Sequence, residues 1–244
     1  MSESKIKQRL DQYLAAAELV ASRSQAESYI KLGQVTVNGK KAAKPGTMVD
    51  DQDTIELLAK EQYVSRAGLK LASVAAVLKL DFAGATVLDV GSSTGGFTDY
   101  ALRHGARKVL AVELGSDQLH PTLLGHKQIE LHEKTDIRNF KTSENIDIVV
   151  ADVSFISLRE ILPSVAKLCT PATKIVAMVK PQFEAGQSAL KHKGVIKNDK
   201  MRRDILKDFE AWSRQHFFIV DKADSEVSGA KGNQERFYLL RKTS

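Results

Sequence analysis

The chain has 244 residues, with 36 Lys and Arg against 30 Asp and Glu for a formal charge of +6, and it is 43% hydrophobic and 27% charged. Those values exclude wholesale disorder and allow a core buried without disulfides. The single Cys169 excludes an internal disulfide framework and a thiolate metal cluster, and no apolar run approaches the roughly 18 residues of a membrane helix. The first residues lead into a charged amphipathic segment without a signal-peptide core, so a cytoplasmic protein with no membrane partner is the expectation.

Charge is unevenly spread. Residues 1–44 carry eight basic and four acidic side chains and residues 191–244 carry thirteen and eight, whereas the middle is net acidic. Basic ends suit a polyanionic partner, with a ligand site in the middle; solvated surfaces explain the same distribution equally well.

In chain order, Ile6, Leu10, Leu14 and Ala17 recur at helical spacing and predict a helix over 5–20. Ser24, with Glu27 three residues on, reads as a capping box for a helix over 24–32 that Gly33 closes. Gln34-Val35-Thr36-Val37 is strand-like, Asn38-Gly39 a hairpin turn, Pro45-Gly46 a further turn, and Asp53-Thr54-Ile55-Glu56-Leu57 another short strand. Residues 1–58 therefore form a small α+β module, and 59–65 a linker. Beyond it, apolar runs at 85–90, 108–112, 146–151 and 175–179 alternate with helical segments at 67–79, 97–104, 157–168 and 199–215. This alternation predicts an α/β domain over 66–244 with a parallel sheet covered on both faces. Runs at 217–220 and 236–240 would close the sheet edge as a hairpin.

Three groups of residues could carry chemistry. The first is Asp89-Val90-Gly91-Ser92-Ser93-Thr94-Gly95-Gly96-Phe97, a strand, a glycine turn and a helix start. Glycines permit a sharp turn and close approach of a ligand to backbone amides. A dinucleotide fingerprint would want glycine at Ser93. The spacing instead resembles the first motif of S-adenosylmethionine-dependent methyltransferases, which implies a cofactor site at Asp89, Gly91, Ser93, Gly95, Gly96 and Phe97. Glu113 ends the next strand, where a carboxylate can accept both ribose hydroxyls of such a cofactor. Asp136 follows the third strand and would either contact adenine or cap the next segment.

The second group decides the methyl acceptor. Asp152-Val153-Ser154-Phe155 has no prolines of the kind used by amino-directed nucleic-acid methyltransferases, and Cys169 reads as core rather than as a nucleophile for carbon-5 methylation. Oxygen acceptors remain. Asp152 and Lys180 end the fourth and fifth strands, at the sheet edge where ligands sit in open α/β folds, although a lysine there could simply snorkel to the surface. Residues 64–242 resemble the FtsJ-like ribose 2′-O-methyltransferases. That resemblance implies a catalytic tetrad at Lys70 (in Tyr63-Val64-Ser65-Arg66-Ala67-Gly68-Leu69-Lys70-Leu71), Asp152, Lys180 (in Val179-Lys180-Pro181-Gln182-Phe183-Glu184) and Glu235 (in Lys231-Gly232-Asn233-Gln234-Glu235).

The third group is Arg9-Leu10-Asp11, Ser22-Arg23-Ser24, Val35-Thr36-Val37-Asn38-Gly39 and Lys44-Pro45, a pattern that resembles the small RNA-binding domain of ribosomal small-subunit protein four. The resemblance places Lys5, Arg9, Arg23, Lys31, Lys40 and Lys41 on RNA phosphates; otherwise these are wet surface lysines and arginines. With both parts together, the whole chain resembles the TlyA family, also labelled haemolysin. This implies a Rossmann-like methyltransferase fold, 2′-O-methylation of cytidine in ribosomal RNA, and structured RNA or ribosomal subunits as partner. Ala230 stands where that family often has proline. The rival expectations are a non-catalytic RNA-binding or ribosome assembly factor and a membrane-active haemolysin.

Overall fold

In the computed structural model, residues 7–59, 61–185, 195–196, 198–229 and 232–243 are described. Lys5, Ala230 and Lys231 lie outside them.

The N-terminal module is built from very short elements. Strand β1 (Gln8–Arg9) pairs antiparallel with β4 (Met48–Val49), so the first helix α1 (Leu10–Ala16) is shorter than the periodicity suggests. The chain ahead of Leu10 is spent on strand pairing, and Leu10 and Leu14 still point into the core. Helix α2 (Arg23–Lys31) is capped two residues before the cap expected from sequence: Ser22 Oγ accepts from Gln25 N, and Gln25 Oε1 accepts from Ala21 N. Gly33 follows the helix at φ +67°, and Asn38-Gly39 turns with both φ positive, at +52° and +74°, as a tight hairpin loop requires. That loop joins β2 (Val35–Val37) to β3 (Lys40–Lys41), and β5 (Ile55–Leu57) pairs on the other side of β2.

The expected linker is structurally engaged. Tyr63 is buried and its carbonyl accepts from Gln25 Nε2 (2.7 Å), Tyr29 Oη donates to the Glu61 carbonyl, and Val64 N donates to Asp99. A continuous apolar cluster therefore runs from Leu14 and Ile30 through Tyr63 into the larger domain.

The larger domain holds a seven-stranded sheet in the order β11-β12-β10-β9-β6-β7-β8. Strands β6 (Thr86–Val90), β7 (Lys108–Val112), β8 (Ile129–His132), β9 (Ile148–Ala151) and β10 (Lys174–Val179) are mutually parallel. Strands β11 (Phe217–Asp224) and β12 (Arg236–Lys242) form the expected antiparallel hairpin, with β12 inserted beside β10. Strand residues alternate between faces. Val87, Val109, Val150, Val176 and Met178 pack on one face with α3 (Arg66–Ala75) and α4 (Gly96–Arg103). Leu88, Val90, Leu110, Val149, Ile175 and Val179 pack on the other with α5 (Leu158–Lys167) and α7 (Asp199–Ser213). Cys169 is buried in this second layer, and burial pushes its thiol up to about 11, which fits a core residue. Among the described residues no helix is long and apolar enough to cross a membrane.

Candidate active site

Two lysine–carboxylate pairs meet at the carboxyl edge of the sheet. Asp152 follows β9, and Lys180 follows β10 as the cap of the short helix α6 (Pro181–Glu184). Lys180 Nζ lies 2.5 Å from Asp152 Oδ1 and 2.8 Å from Ser154 Oγ. The second pair is Lys70 with Glu235, both almost wholly buried. An isolated charge there would be costly, and pairing is what makes burial tolerable. Register brings the pairs together: Val179 is opposite Arg236 in the β10–β12 ladder, so the next position on each chain is Lys180 and Glu235. Lys70 is delivered by α3, whose start presses on α4 where both lack side chains. A Cβ at Gly96 would lie 2.8 Å from Ala67 Cβ and 2.9 Å from Gly68 N, and one at Gly68 2.5 Å from Tyr63 Cβ.

A cavity of about 570 Å³ opens over the carboxyl ends of β6, β7 and β9. Its walls combine apolar side chains (Val90, Val112, Ile137, Ile156) with the carboxylates of Glu113, Asp136 and Asp152, and with Gly91, Ser93 and Ser154. Glu113 Oε2 accepts from Ser93 N (2.9 Å) and Oε1 from Gly115 N (2.7 Å), which ties the glycine turn to the end of β7. Asp136 takes the capping role and also lines the cavity. It caps its own turn by accepting from Arg138 N, and it binds the Arg138 guanidinium at 2.6 Å. The Arg138 bonds hold its carboxyl below the usual range.

Four residues expected at the cofactor are not among those that line this cavity. Gly95, at φ +86°, backs onto Leu119 and Leu123, where a Cβ would come within 2.5 Å of Leu123. Gly96 serves the α3–α4 contact, and Phe97 is buried with its ring 6.0 Å from that of Phe237. Asp89 is buried beneath the turn and accepts from Thr98 Oγ1 at 2.6 Å. Burial, with the nearby negative charges of Asp152 and Glu113, pushes its carboxyl up to about 7. Gly91, at φ +78°, lines the cavity and also lets the Asp152 carbonyl approach, since a Cβ would sit 2.8 Å from it.

On the N-terminal module, Arg9 and Arg23 converge on the buried carboxylate of Asp11 at 2.9 and 2.7 Å, while both guanidiniums stay about half exposed. Hydrogen bonds from Arg9, then from Arg23, bring Asp11 down to about 2. Lys31, Lys40 and Lys41 are exposed.

Residues 63–242 match the FtsJ-like methyltransferase family, and residues 8–55 match the S4 domain. The chain belongs to the FtsJ-like methyltransferase family. It is an enzyme whose methyl donor is S-adenosylmethionine, and its S4 domain makes RNA its partner. The whole-chain match groups it with TlyA proteins. It is 38% identical to the 23S rRNA (cytidine-2′-O)-methyltransferase TlyA of Campylobacter jejuni, covering 80% of this chain and 77% of that one. It is 37% identical to Hemolysin A of Brachyspira hyodysenteriae, over 93% and 97% of the two chains. A solved structure described as a candidate hemolysin from Streptococcus thermophilus is 34% identical and superposes with a TM-score of 0.72, over 99% of this chain and 90% of that one.

In this FtsJ-like methyltransferase, several site residues escaped the sequence reading although they sit inside motifs it quoted. Ser154 and Phe155 belong to the Asp152 string, and Glu184 to the Lys180 string. Arg138 lies two residues beyond Asp136, and nothing local marked it.

Proposed function

We propose that this protein transfers a methyl group from S-adenosylmethionine to the ribose 2′-hydroxyl of a cytidine in ribosomal RNA, with residues 1–58 gripping the RNA and residues 66–244 carrying the chemistry. The observation that carries this reading is Lys180 Nζ held by Asp152 and Ser154 beside a cavity of cofactor size. The cavity wall fits the donor chemically: with Asp136 paired to Arg138 and Asp152 to Lys180, Glu113 leaves the wall net negative, which suits a ligand with a positive sulfonium, and the apolar walls suit an adenine ring. Glu113 would accept the cofactor's ribose hydroxyls and Asp136 would face its adenine.

The bound cofactor supplies an electrophilic methyl carbon on a positively charged sulfur. A ribose hydroxyl is a weak nucleophile, so this chain's contribution is to position it and manage its proton. Lys180 Nζ would hold the hydroxyl oxygen: as a neutral amine it would take the hydroxyl proton and become the ammonium as the methyl group is transferred, and as an ammonium it would stabilise the developing alkoxide while the proton passes to water. Asp152 and Ser154 fix Nζ in place, and the Lys70–Glu235 pair supports the same edge. Phe155 is 92% exposed at φ +67°, with its ring 5.3 Å from Phe183, a flat apolar surface at the cavity mouth on which a nucleobase would stack. Arg9, Arg23, Lys31, Lys40, Lys41 and Lys5 would act on phosphates.

The test is an RNA substrate with 2′-deoxyribose at the target position alone. It should bind and accept no methyl group, while Lys180→Ala binds cofactor normally and loses turnover by about 10²-fold or more. Methylation of the deoxy substrate would move the acceptor to a base.

A further inference from the structure

We propose that Glu184 is a positioning residue for the methyl-transfer step. It would act by closing a strap that holds the Asp152–Ser157 segment against Lys180. The proposal rests on the 2′-hydroxyl reading and extends it to a residue that touches neither substrate nor cofactor.

Glu184 is acidic, yet its side chain is 1% exposed. Its oxygens are committed to one place, the start of α5: Oε2 accepts from Ser157 Oγ at 2.6 Å, Oε1 accepts from Leu158 N at 2.8 Å, and Arg159 Nε stands 3.5 Å away. Part of this is helix capping: Ser157 accepts from Arg159 N, and the N–H of buried Leu158 finds its acceptor in Glu184. What the carboxylate adds is a tie between segments 26 residues apart. Lys180 and Glu184 stand at the two ends of α6, while Asp152 and Ser157 stand at the two ends of the segment leading into α5. One end is joined by Lys180 to Asp152 and Ser154, the other by Glu184 to Ser157 and Leu158. Between the ties lies Phe155 in the left-handed region, in contact with Phe183 across the strap. A strained residue of this kind persists where its surroundings over-determine it. With the Glu184 tie released, only the Lys180 end holds the segment, and an ångström of drift at a reacting group can cost about 10²-fold.

Glu184→Gln keeps the shape but offers one acceptor oxygen where two donors point. We expect kcat to fall by about 10-fold or more, with RNA KM and cofactor affinity within about threefold of wild type. Hydrogen exchange of residues 152–158 should quicken while β9 and β10 stay protected. Ser157→Ala, which removes one donor to Glu184 and the cap on Arg159 N, should lower kcat less, and adding it to Glu184→Gln should lower kcat no further, the lost cap showing in stability alone. A kcat within twofold of wild type in Glu184→Gln overturns the proposal, as does an equal fall in cofactor affinity or multiplicative effects in the double variant. Should Glu184→Gln fail to fold, Ser157→Ala alone decides: unchanged kcat overturns the proposal. Should the wild-type protein methylate the deoxy substrate, the 2′-hydroxyl reading fails, and the exchange measurement still tests the strap.

Discussion

Val179 lies opposite Arg236 across the β10–β12 ladder, and this single register brings the two halves of the lysine–carboxylate arrangement to one edge. The Lys70–Glu235 pair is buried on both sides, so its members depend on one another. Lys70→Met should destabilise the fold by about 3–5 kcal/mol, because an unpaired buried carboxylate remains. The double variant Lys70→Met/Glu235→Leu should recover most of that loss in urea unfolding and stay inactive. Equal stability of the single variant and wild type would show that the pair contributes nothing to folding.

Asp89 gives a pH signature. Its carboxyl titrates near 7 in the fold against an ordinary value of 3.8, so the folded state favours the protonated form. The stability it lends is full below about pH 4 and is lost as pH rises through 7. Asp89→Asn stays neutral throughout. Without cofactor its melting temperature should vary less than that of wild type between pH 4 and pH 8, and should exceed wild type at pH 8. A parallel pair of melting curves would remove Asp89 as the cause.

Glu113 ties the glycine turn through Ser93 N and Gly115 N while facing the cavity. Glu113→Ala should weaken cofactor binding by about 1–3 kcal/mol, the cost of unpaired polar groups. Calorimetry would read this as a drop of roughly 5–150-fold in affinity. An unchanged affinity would leave Glu113 as a purely structural tie.

Asp11 makes a prediction that runs against simple charge counting. It fixes both Arg9 and Arg23, so Asp11→Ala should weaken RNA binding even though it removes a negative charge. RNA affinity of the intact protein should fall steeply with salt, and the variant should show a shallower slope. Tighter binding by Asp11→Ala would mean that net charge, not arginine placement, governs the grip.

The parallel sheet was legible because its strands are buried on both faces and read as unbroken apolar runs such as Ile148-Val149-Val150-Ala151. The pairs β1 and β4 were not, since two residues each cannot express a period. The helix start moved from Ser24 to Ser22 because Gln25, buried and donating to Tyr63, fixes the first turn through a contact distant in sequence. The glycine turn was legible as a turn. Which of its residues face a ligand was not, because Gly95 and Gly96 are small for the sake of Leu119, Leu123 and α3, neighbours that only the fold supplies. The pairing within the tetrad was likewise hidden, as strand register decides it.

The insertion of β12 beside β10 also makes one short segment serve both the sheet and a buried charge. Without residues 235–242, β10 would lack its second neighbour and Lys70 its counter-charge. A chain truncated before Glu235 would keep Glu113, Asp136, Asp152 and Lys180 but would leave Lys70 without its counter-charge. Residues 235–242 thus supply both the second neighbour of β10 and the counter-charge of Lys70.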